Sequence, residues 1–441
     1  MHSLGGSPDA MAHNPPVQTY RQLWFDEGWH EAFSTRPSLM NKLLHLNLLL
    51  LLAAAIFDPE DLLVHAKVPL FAGVWMLILA DMVISRRGRF QVPMNLYLYI
   101  YIFVILLPSI GMFIYLLRGG GTEGYEWLNS YKPYLFLTLC IPLAMKRIDL
   151  IRPLSMILSV LSLATVVLYV ITVNNEALRS QLWLVGNTYT IFSLNERSYG
   201  GLSYQMVYFH TSPLIIIAVA YFCYQSLVSM GRARFWNVLL LLLNVCGMLL
   251  SGTRNNMIMG LLMPLMVIAW YGGTKVRLFV VAGLAVVLSV GLGFGIVQAM
   301  LSPDDPSNAI KLLYFHDYAA MFSNWPTLLF GQGLGASFFS TALGMRVSIT
   351  ELTYLEFIRN YGVIMGCMFY FLLLYPLRKL GSQAARADHY LFLGYFGYLY
   401  LCTANPLLMS SSGMLVMAIV LVKTFYWPVR RTCSVALVHC S

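Results

Sequence analysis

Two segments of the chain carry side chains that could transfer a proton to or from a substrate. Glu351 opens a stretch that runs directly into an apolar segment, and a carboxylate there could act as a general base. His316 precedes Asp317, and histidine titrates near neutral pH. A structural role is the alternative for each: Glu351 as an anion near a helix N-terminus, and His316 on an amphipathic helix, 310–322, lying on the membrane.

Arginines stand between the apolar segments, at positions where they could bind a phosphate. Guanidinium donates two parallel hydrogen bonds to a phosphate and keeps its proton, so the set suits a pyrophosphate. Arg254 lies in a tight turn, Leu250 to Asn256, and a charge close to membrane depth is by default functional. The alternatives are an Arg254 that snorkels to headgroups and an Arg359 that pairs with Glu356. The full set is Arg118, Arg179, Arg197, Arg254, Arg346 and Arg359.

The elements that must position these residues are membrane-spanning helices. The 441 residues are 59% hydrophobic and 11% charged, with mean hydropathy +0.69, which excludes a soluble enzyme. Segments of about 20 apolar residues, the length that crosses a bilayer, recur along the chain. We therefore predict an all-α polytopic membrane protein of about twelve spans, near 41–58, 67–84, 94–117, 131–145, 153–173, 210–229, 236–250, 257–271, 278–299, 356–376, 389–405 and 411–427.

Lysines and arginines orient these spans, because they concentrate in cytoplasmic loops. They occupy alternate loops, which places both termini in the cytoplasm and two long loops, 174–209 and 300–355, outside. This predicts a cytoplasmic or interfacial segment 1–40, one transmembrane domain 41–427 and a cytoplasmic tail 428–441. The net charge of +9 is spread through the inner loops, which argues against a nucleic-acid partner. The cysteines show no metal spacing, and we predict no metal site, disulfide or cofactor.

Three features of the chain resemble the O-antigen ligase and polymerase superfamily, whose members use lipid-linked glycans at the outer face of the bacterial inner membrane. Ser251-Gly-Thr-Arg254 before an apolar run resembles the family's Ser-Arg signature. Phe330-Gly-Gln-Gly-Leu-Gly335 resembles its Phe-Gly-x-Gly element, which we interpret as a turn closely approaching a ligand or the membrane. The segment 351–362 resembles the last motif, with Glu351 where the ligases carry a histidine.

The resemblance implies a metal-independent glycosyltransferase, and the missing histidine favours a Wzy-like polysaccharide polymerase over a ligase. Its implied partners are an undecaprenyl-pyrophosphate-linked glycan donor and acceptor, membrane lipids and a chain-length regulator. Glu351, or less favourably His316, would be catalytic, and Arg254, Arg359 and Arg197 would hold the pyrophosphate. Sugar rings would stack on tyrosines that include Tyr199 and Tyr354, unless these form the interfacial aromatic belt.

Two other functions stay open from the sequence. A ligase would pass the finished glycan to lipid A core, and only the absent histidine separates it from a polymerase. A secondary transporter would place charged residues along an ion path at the membrane midplane and would show internal repeats. The halves of this chain show no repeat, and its charges gather at one face, which disfavours transport.

Overall fold

The computed structural model describes residues 39–84, 92–119, 126–199, 202–293, 306–382 and 388–425. This part of the protein is about 80% helical, the architecture of a helical membrane protein. The predicted cytoplasmic tail and almost all of the predicted cytoplasmic or interfacial N-terminal segment lie outside the described residues. The same holds for the start of the segment 300–355 and the end of the ninth predicted span.

The helices and strands follow one another with short connections. The first helices are α1 (Leu39–Phe57), α2 (Lys67–Ile84), α3 (Met94–Leu117), α4 (Glu126–Leu135), α5 (Cys140–Lys146) and α6 (Ile151–Asn174). Next come α7 (Glu176–Thr188), β1 (Phe192–Tyr199), β2 (Leu202–Phe209), α8 (Ile215–Val228), α9 (Gly231–Leu250), α10 (Arg254–Tyr271) and α11 (Thr274–Gly293). The last are α12 (Pro306–Phe322), α13 (Trp325–Phe330), β3 (Phe338–Ser340), β4 (Met345–Val347), α14 (Thr353–Ser382), α15 (His389–Leu401) and α16 (Ser411–Phe425).

Six of the described helices are long and apolar enough to cross a membrane: α1, α2, α3, α6, α9 and α14. Many of their leucines, valines and isoleucines are exposed, as side chains that face lipid must be. Helices α8 and α16 are shorter and apolar on every side, and most residues of α8 and all but one of α16 are buried. A helix that is apolar all round belongs inside a bundle, so these two form its centre.

Hydrogen bonds and ion pairs join elements at both ends of the bundle. At one end, Thr353 Oγ1 donates to the carbonyl of Asn405 at 2.6 Å, and Thr211 Oγ1 donates to that of Ile56 at 2.8 Å. At the other end, Lys146 pairs with Asp81 and Lys423 with Asp149. The first end also carries both β-hairpins, α12 and α13, and we call it the site end.

The segment 174–209 contains a β-hairpin that the sequence prediction of an all-α fold missed. Strands β1 and β2 are antiparallel and pair in register from Phe192 with Phe209 to Tyr199 with Leu202. Phe192, Leu194, Val207 and Phe209 are buried, and Phe192 packs closely against Gly186 of α7. A second, shorter hairpin, β3–β4, lies in the segment between α13 and α14.

Helix α14 is interrupted inside the stretch that enters the membrane. Gly362 has φ +78° and ψ 169°, a backbone conformation that L side chains rarely adopt. The residues of α14 on both sides of it are helical, so the glycine marks a kink between two helical segments. This kink lies at the site end, where the chain between α13 and β3 packs against it.

Candidate functional site

The deepest charge at the site end is an ion pair within α14. Arg359 is 0% exposed and Glu356 is 2% exposed, and the two side chains form a salt bridge. Arg359 also donates to the carbonyls of Ala336 at 2.6 Å and Ser348 at 2.7 Å, and its guanidinium lies 5.1 Å from the ring centre of Phe338. The pairing of Arg359 with Glu356, one alternative from the sequence, is therefore present.

Tyr318 of α12 completes this network. Its hydroxyl donates to Glu356 Oε2 at 2.7 Å and lies 2.7 Å from Thr350 Oγ1. Burial, together with the Glu356 carboxylate, raises the pKa of Tyr318 well above its ordinary value, so the hydroxyl keeps its proton and remains a donor. The buried pair thus fastens α12, β3 and the turn before α14 to one another.

The glycine-rich segment 330–335 approaches the backbone of α14, and this differs from the sequence interpretation of an approach to ligand or membrane. The amides of Gln332 and Gly333 donate to the carbonyls of Arg359 and Asn360, at 2.6 and 3.0 Å. A Cβ on Gly331 would lie 2.5 Å from the Asn360 oxygen, and one on Gly333 would lie 2.3 Å from the amide nitrogen of Tyr115. The glycines are needed because two backbones touch here.

Arg254 is the first residue of α10, and three other elements meet around it. Its Nη1 donates to Asn308 Oδ1 of α12 at 2.8 Å. From β2, the Tyr204 hydroxyl donates to the carbonyl of Gly252 at 2.9 Å. Tyr204 pairs across the hairpin with Arg197, and directly opposite residues share a sheet face, so Arg197 lies on the side of the hairpin that meets α10. We call this group the arginine end.

Glu351 lies two residues before α14 and its side chain is exposed. Burial and then the Glu351 carboxylate raise the pKa of Tyr314. Burial also raises the pKa of Tyr208, a hydrogen bond with Asn405 lowers it, and the Glu351 carboxylate adds a smaller rise. Tyr208 in turn accepts a hydrogen bond from Asn405 Nδ2. Glu351 with Tyr208 and Tyr314 is the carboxylate end.

One face of α12 joins the two ends. Asn308, Lys311, Tyr314 and Tyr318 follow each other at intervals of three or four residues, which places them on one side of the helix. Asn308 contacts Arg254 and Tyr318 contacts Glu356. Between them, Tyr314 has its pKa raised in part by the Glu351 carboxylate. At 1.5 Å per residue, Asn308 and Tyr314 are about 9 Å apart along the axis. Lys311 lies between them and adds a third cation to Arg254 and Arg197.

The other residues predicted for the site point elsewhere or lie outside the description. His316 is exposed, while the buried carboxylate of Asp317 accepts hydrogen bonds from the Thr341 amide and hydroxyl, so the two do not form a pair. Tyr354 donates to the carbonyl of Leu399 at 2.8 Å, inside the helix bundle. Glu351 precedes α14, so Glu351 and Tyr354 do not share a face of that helix. Tyr199 ends β1, and its side chain is outside the described residues.

Asn308, at the arginine end, and Tyr208, at the carboxylate end, were not predicted from the sequence as site residues. Both could have been found from spacing: Asn308 is one helical turn from Lys311, and Tyr208 lies four residues after Tyr204, on the same face of a strand. Among the described residues, no group of three or more His, Cys, Asp or Glu side chains is placed to hold a metal ion.

No protein-family model, curated protein or solved structure matches this chain. Function is therefore inferred from the geometry of the arginine end and the carboxylate end, which α12 connects.

Proposed function

We propose that the protein is an outer-face glycosyltransferase that polymerises undecaprenyl-pyrophosphate-linked oligosaccharide repeat units, as the resemblance to the O-antigen ligase and polymerase superfamily implies. One observation carries the proposal: a single face of α12 connects the two groups, because Asn308 contacts Arg254 and Tyr314 is influenced by the Glu351 carboxylate, and Asn308 and Tyr314 are about 9 Å apart along the helix axis. A sugar pyrophosphate has the same arrangement, with anionic oxygens at one end and reacting carbon and hydroxyl groups beyond them.

The arginine end would bind the pyrophosphate of the donor. Arg254 and Arg197 would donate to its oxygens, with Lys311 beside them, and stabilise the charge that the pyrophosphate gains as it leaves. Such preorganised charge is usually the largest contribution to catalysis. We assign Arg359 a positioning role, because its guanidinium is occupied by Glu356 and by backbone carbonyls.

Glu351 would act as the general base. Its carboxylate would take the proton of an acceptor sugar hydroxyl, and the hydroxyl oxygen would bond to the anomeric carbon of the donor chain. The bond from that carbon to the pyrophosphate breaks, and undecaprenyl pyrophosphate leaves with the electron pair. Direct displacement inverts the anomeric centre. Tyr208 and Tyr314 flank Glu351 and would contact the acceptor sugar.

The proposal includes the finer topology predicted from the sequence. About twelve spans would form a single transmembrane domain, 41–427, in the bacterial inner membrane, with both termini cytoplasmic. The site end would then face the periplasm, where the lipid-linked repeat units are presented. Clustering of the predicted outer segments at one end of the bundle supports this orientation.

The decisive experiment is a reaction of purified protein in detergent with the lipid-linked oligosaccharide extracted from the source strain. We expect a ladder of lengthened glycans on a gel. Arg254→Ala and Glu351→Gln should each reduce the initial rate at least about 100-fold, the scale on which one general base or one charge-stabilising group acts. His316→Gln, which alters an exposed side chain outside the two ends, is the matched control and should retain the rate.

Two other outcomes would replace the proposal. Transfer of the glycan only when lipid A core is supplied would identify a ligase. If neither product forms with the cognate donor, glycosyl transfer is rejected, and a secondary transporter becomes the leading alternative. Equal rates for the wild type and Glu351→Gln in an active preparation would remove Glu351 as the base.

A further inference from the structure

At the site end there is a groove that is separate from the arginine end and from the carboxylate end. It runs between α7 and β1 and has a volume of about 320 Å³. Sites for small ligands begin at about 300 Å³, so the groove could hold a short segment of a larger molecule. Its lining combines a tryptophan with four polar side chains and one leucine: Arg179, Ser180, Trp183, Leu194, Asn195 and Glu196.

The charges of this groove cancel. Arg179 Nη1 lies 2.8 Å from Glu196 Oε1, and both side chains remain partly exposed. The arginine end, in contrast, combines Arg254, Arg197 and Lys311. A site with one paired cation and anion offers donors and acceptors without net charge, so it suits a neutral polyhydroxyl ligand better than a phosphate. Asn195, exposed on β1, adds an amide that can both donate and accept.

Trp183 supplies an apolar surface next to these polar groups. It is 48% exposed and lies four residues after Arg179, on the same side of α7. An indole ring presents a flat apolar face while its N–H donates a hydrogen bond. Sugar rings have the complementary character, with C–H groups on a face and hydroxyls around the edge. Exposed tryptophan beside a neutral set of hydrogen-bonding groups therefore fits a carbohydrate.

We propose that the groove between α7 and β1 is a glycan-binding subsite that holds sugar residues remote from the reacting bond. This inference rests on the proposed function and specifies where its polysaccharide is held. Arg197 of the arginine end and Asn195 of the groove share β1, two residues or about 7 Å apart along the strand. Arg197 faces α10 and Glu196 faces α7, so a glycan anchored by its pyrophosphate at the arginine end would pass around the hairpin to reach the groove, and the enzyme would retain the growing chain between additions.

Binding is tested with the soluble repeat oligosaccharide, freed from its lipid pyrophosphate by mild acid, added to the purified full-length protein. Saturation-transfer NMR should detect binding to the wild type, and Trp183→Ala should raise the Kd about fivefold, as expected for loss of one aromatic contact. Trp183→Phe should restore most of the affinity. Asn195→Ala, a change of an exposed side chain, should weaken binding about threefold. Trp325→Ala, which removes another exposed tryptophan at the site end, should leave the Kd unchanged.

Absence of binding to the wild type, or an unchanged Kd in both Trp183→Ala and Asn195→Ala, overturns the subsite. An equal loss with Trp325→Ala also overturns it, because the tryptophans would then act only as membrane anchors. The polymerisation reaction separates this failure from failure of the proposed function. Trp183→Ala should shorten the product ladder while the rate of the first addition stays within about twofold of the wild type. Binding without any ladder would keep the subsite and reject the polymerase.

Discussion

At the scale of single residues, two arginines at the same end of the bundle have different surroundings. Arg359 is fully buried and held by Glu356 and by carbonyls of the adjacent loop, so its charge is used within the protein. Arg254 starts a helix, is partly exposed and has Asn308 beside it. An anion from outside could approach the partly exposed Arg254, whereas the side chain of Arg359 is enclosed. This difference supports the proposed roles of Arg254 in substrate binding and of Arg359 in positioning.

The Arg359–Glu356 pair predicts a large loss of stability when one partner is removed. Glu356→Gln leaves a buried guanidinium without its counter-charge, and breaking a buried pair in this way costs about 3–5 kcal/mol. We expect a clear fall in the Tm of the purified protein in detergent. Glu196→Gln breaks an ion pair with Arg179 that is 60% exposed on its acidic side, and exposed pairs contribute about 1 kcal/mol or less. Equal Tm shifts in the two variants would contradict the structural role assigned to Arg359.

At the scale of elements, the helices were predictable from the sequence because a chain surrounded by lipid must form its backbone hydrogen bonds internally. Every backbone group in a bilayer core must be satisfied internally, so long apolar runs become helices, as in α1, α3 and α6. The β1–β2 hairpin was missed because its pairing joins two short segments outside these runs, where apolar residues show no helical period. Buried and half-buried positions alternate only over residues 192–194 of β1 and 207–209 of β2, a weak signal in strands of eight residues.

The candidate site was predictable in part for the same reason. Arg254 and Glu351 stand out in the sequence because a charge next to an apolar span is unusual. Their link through α12 depends on tertiary packing, which no local pattern records. In the sequence Arg359, like Arg254, is an arginine next to an apolar run. Its burial becomes apparent only in the folded protein, where Ala336, Ser348 and Tyr318 surround it.

The contact between α14 and the glycine-rich segment predicts that Gly362 cannot be replaced. Gly362→Ala combines a left-handed backbone with a Cβ that would lie 2.1 Å from the Leu329 oxygen, so the segment 329–333 must move. We expect a loss of at least about 3 kcal/mol in stability and strong loss of polymerisation. Gly344→Ala isolates the backbone effect, because Gly344 also has positive φ but nothing within 4 Å, and should cost about 1–2 kcal/mol. Similar effects of both changes would show that the close approach is unimportant.

At the scale of the whole molecule, the two ends of the bundle differ in chemistry. The site end carries the hairpins, α12, α13 and the buried Arg359 network, while the opposite end carries basic residues near helix ends, including Lys146 and Lys275. Lysine and arginine in short loops between helices favour the cytoplasmic side, so the short basic connections of the opposite end predict that the site end faces outward. A substrate that is presented at the outer leaflet could then reach the site without crossing the membrane.

This orientation is tested by labelling single added cysteines with a membrane-impermeant maleimide. Asn187→Cys and Arg346→Cys place exposed thiols at the site end, and Lys275→Cys and Arg378→Cys place them at the opposite end. In spheroplasts the first two should label before permeabilisation and the last two only after it, with the native chain as the measure of background labelling. The reverse pattern would put Arg254 and Glu351 on the cytoplasmic side. Since the proposed donor displays its glycan at the outer face, that result alone would remove polymerisation as the function, whatever the geometry of α12.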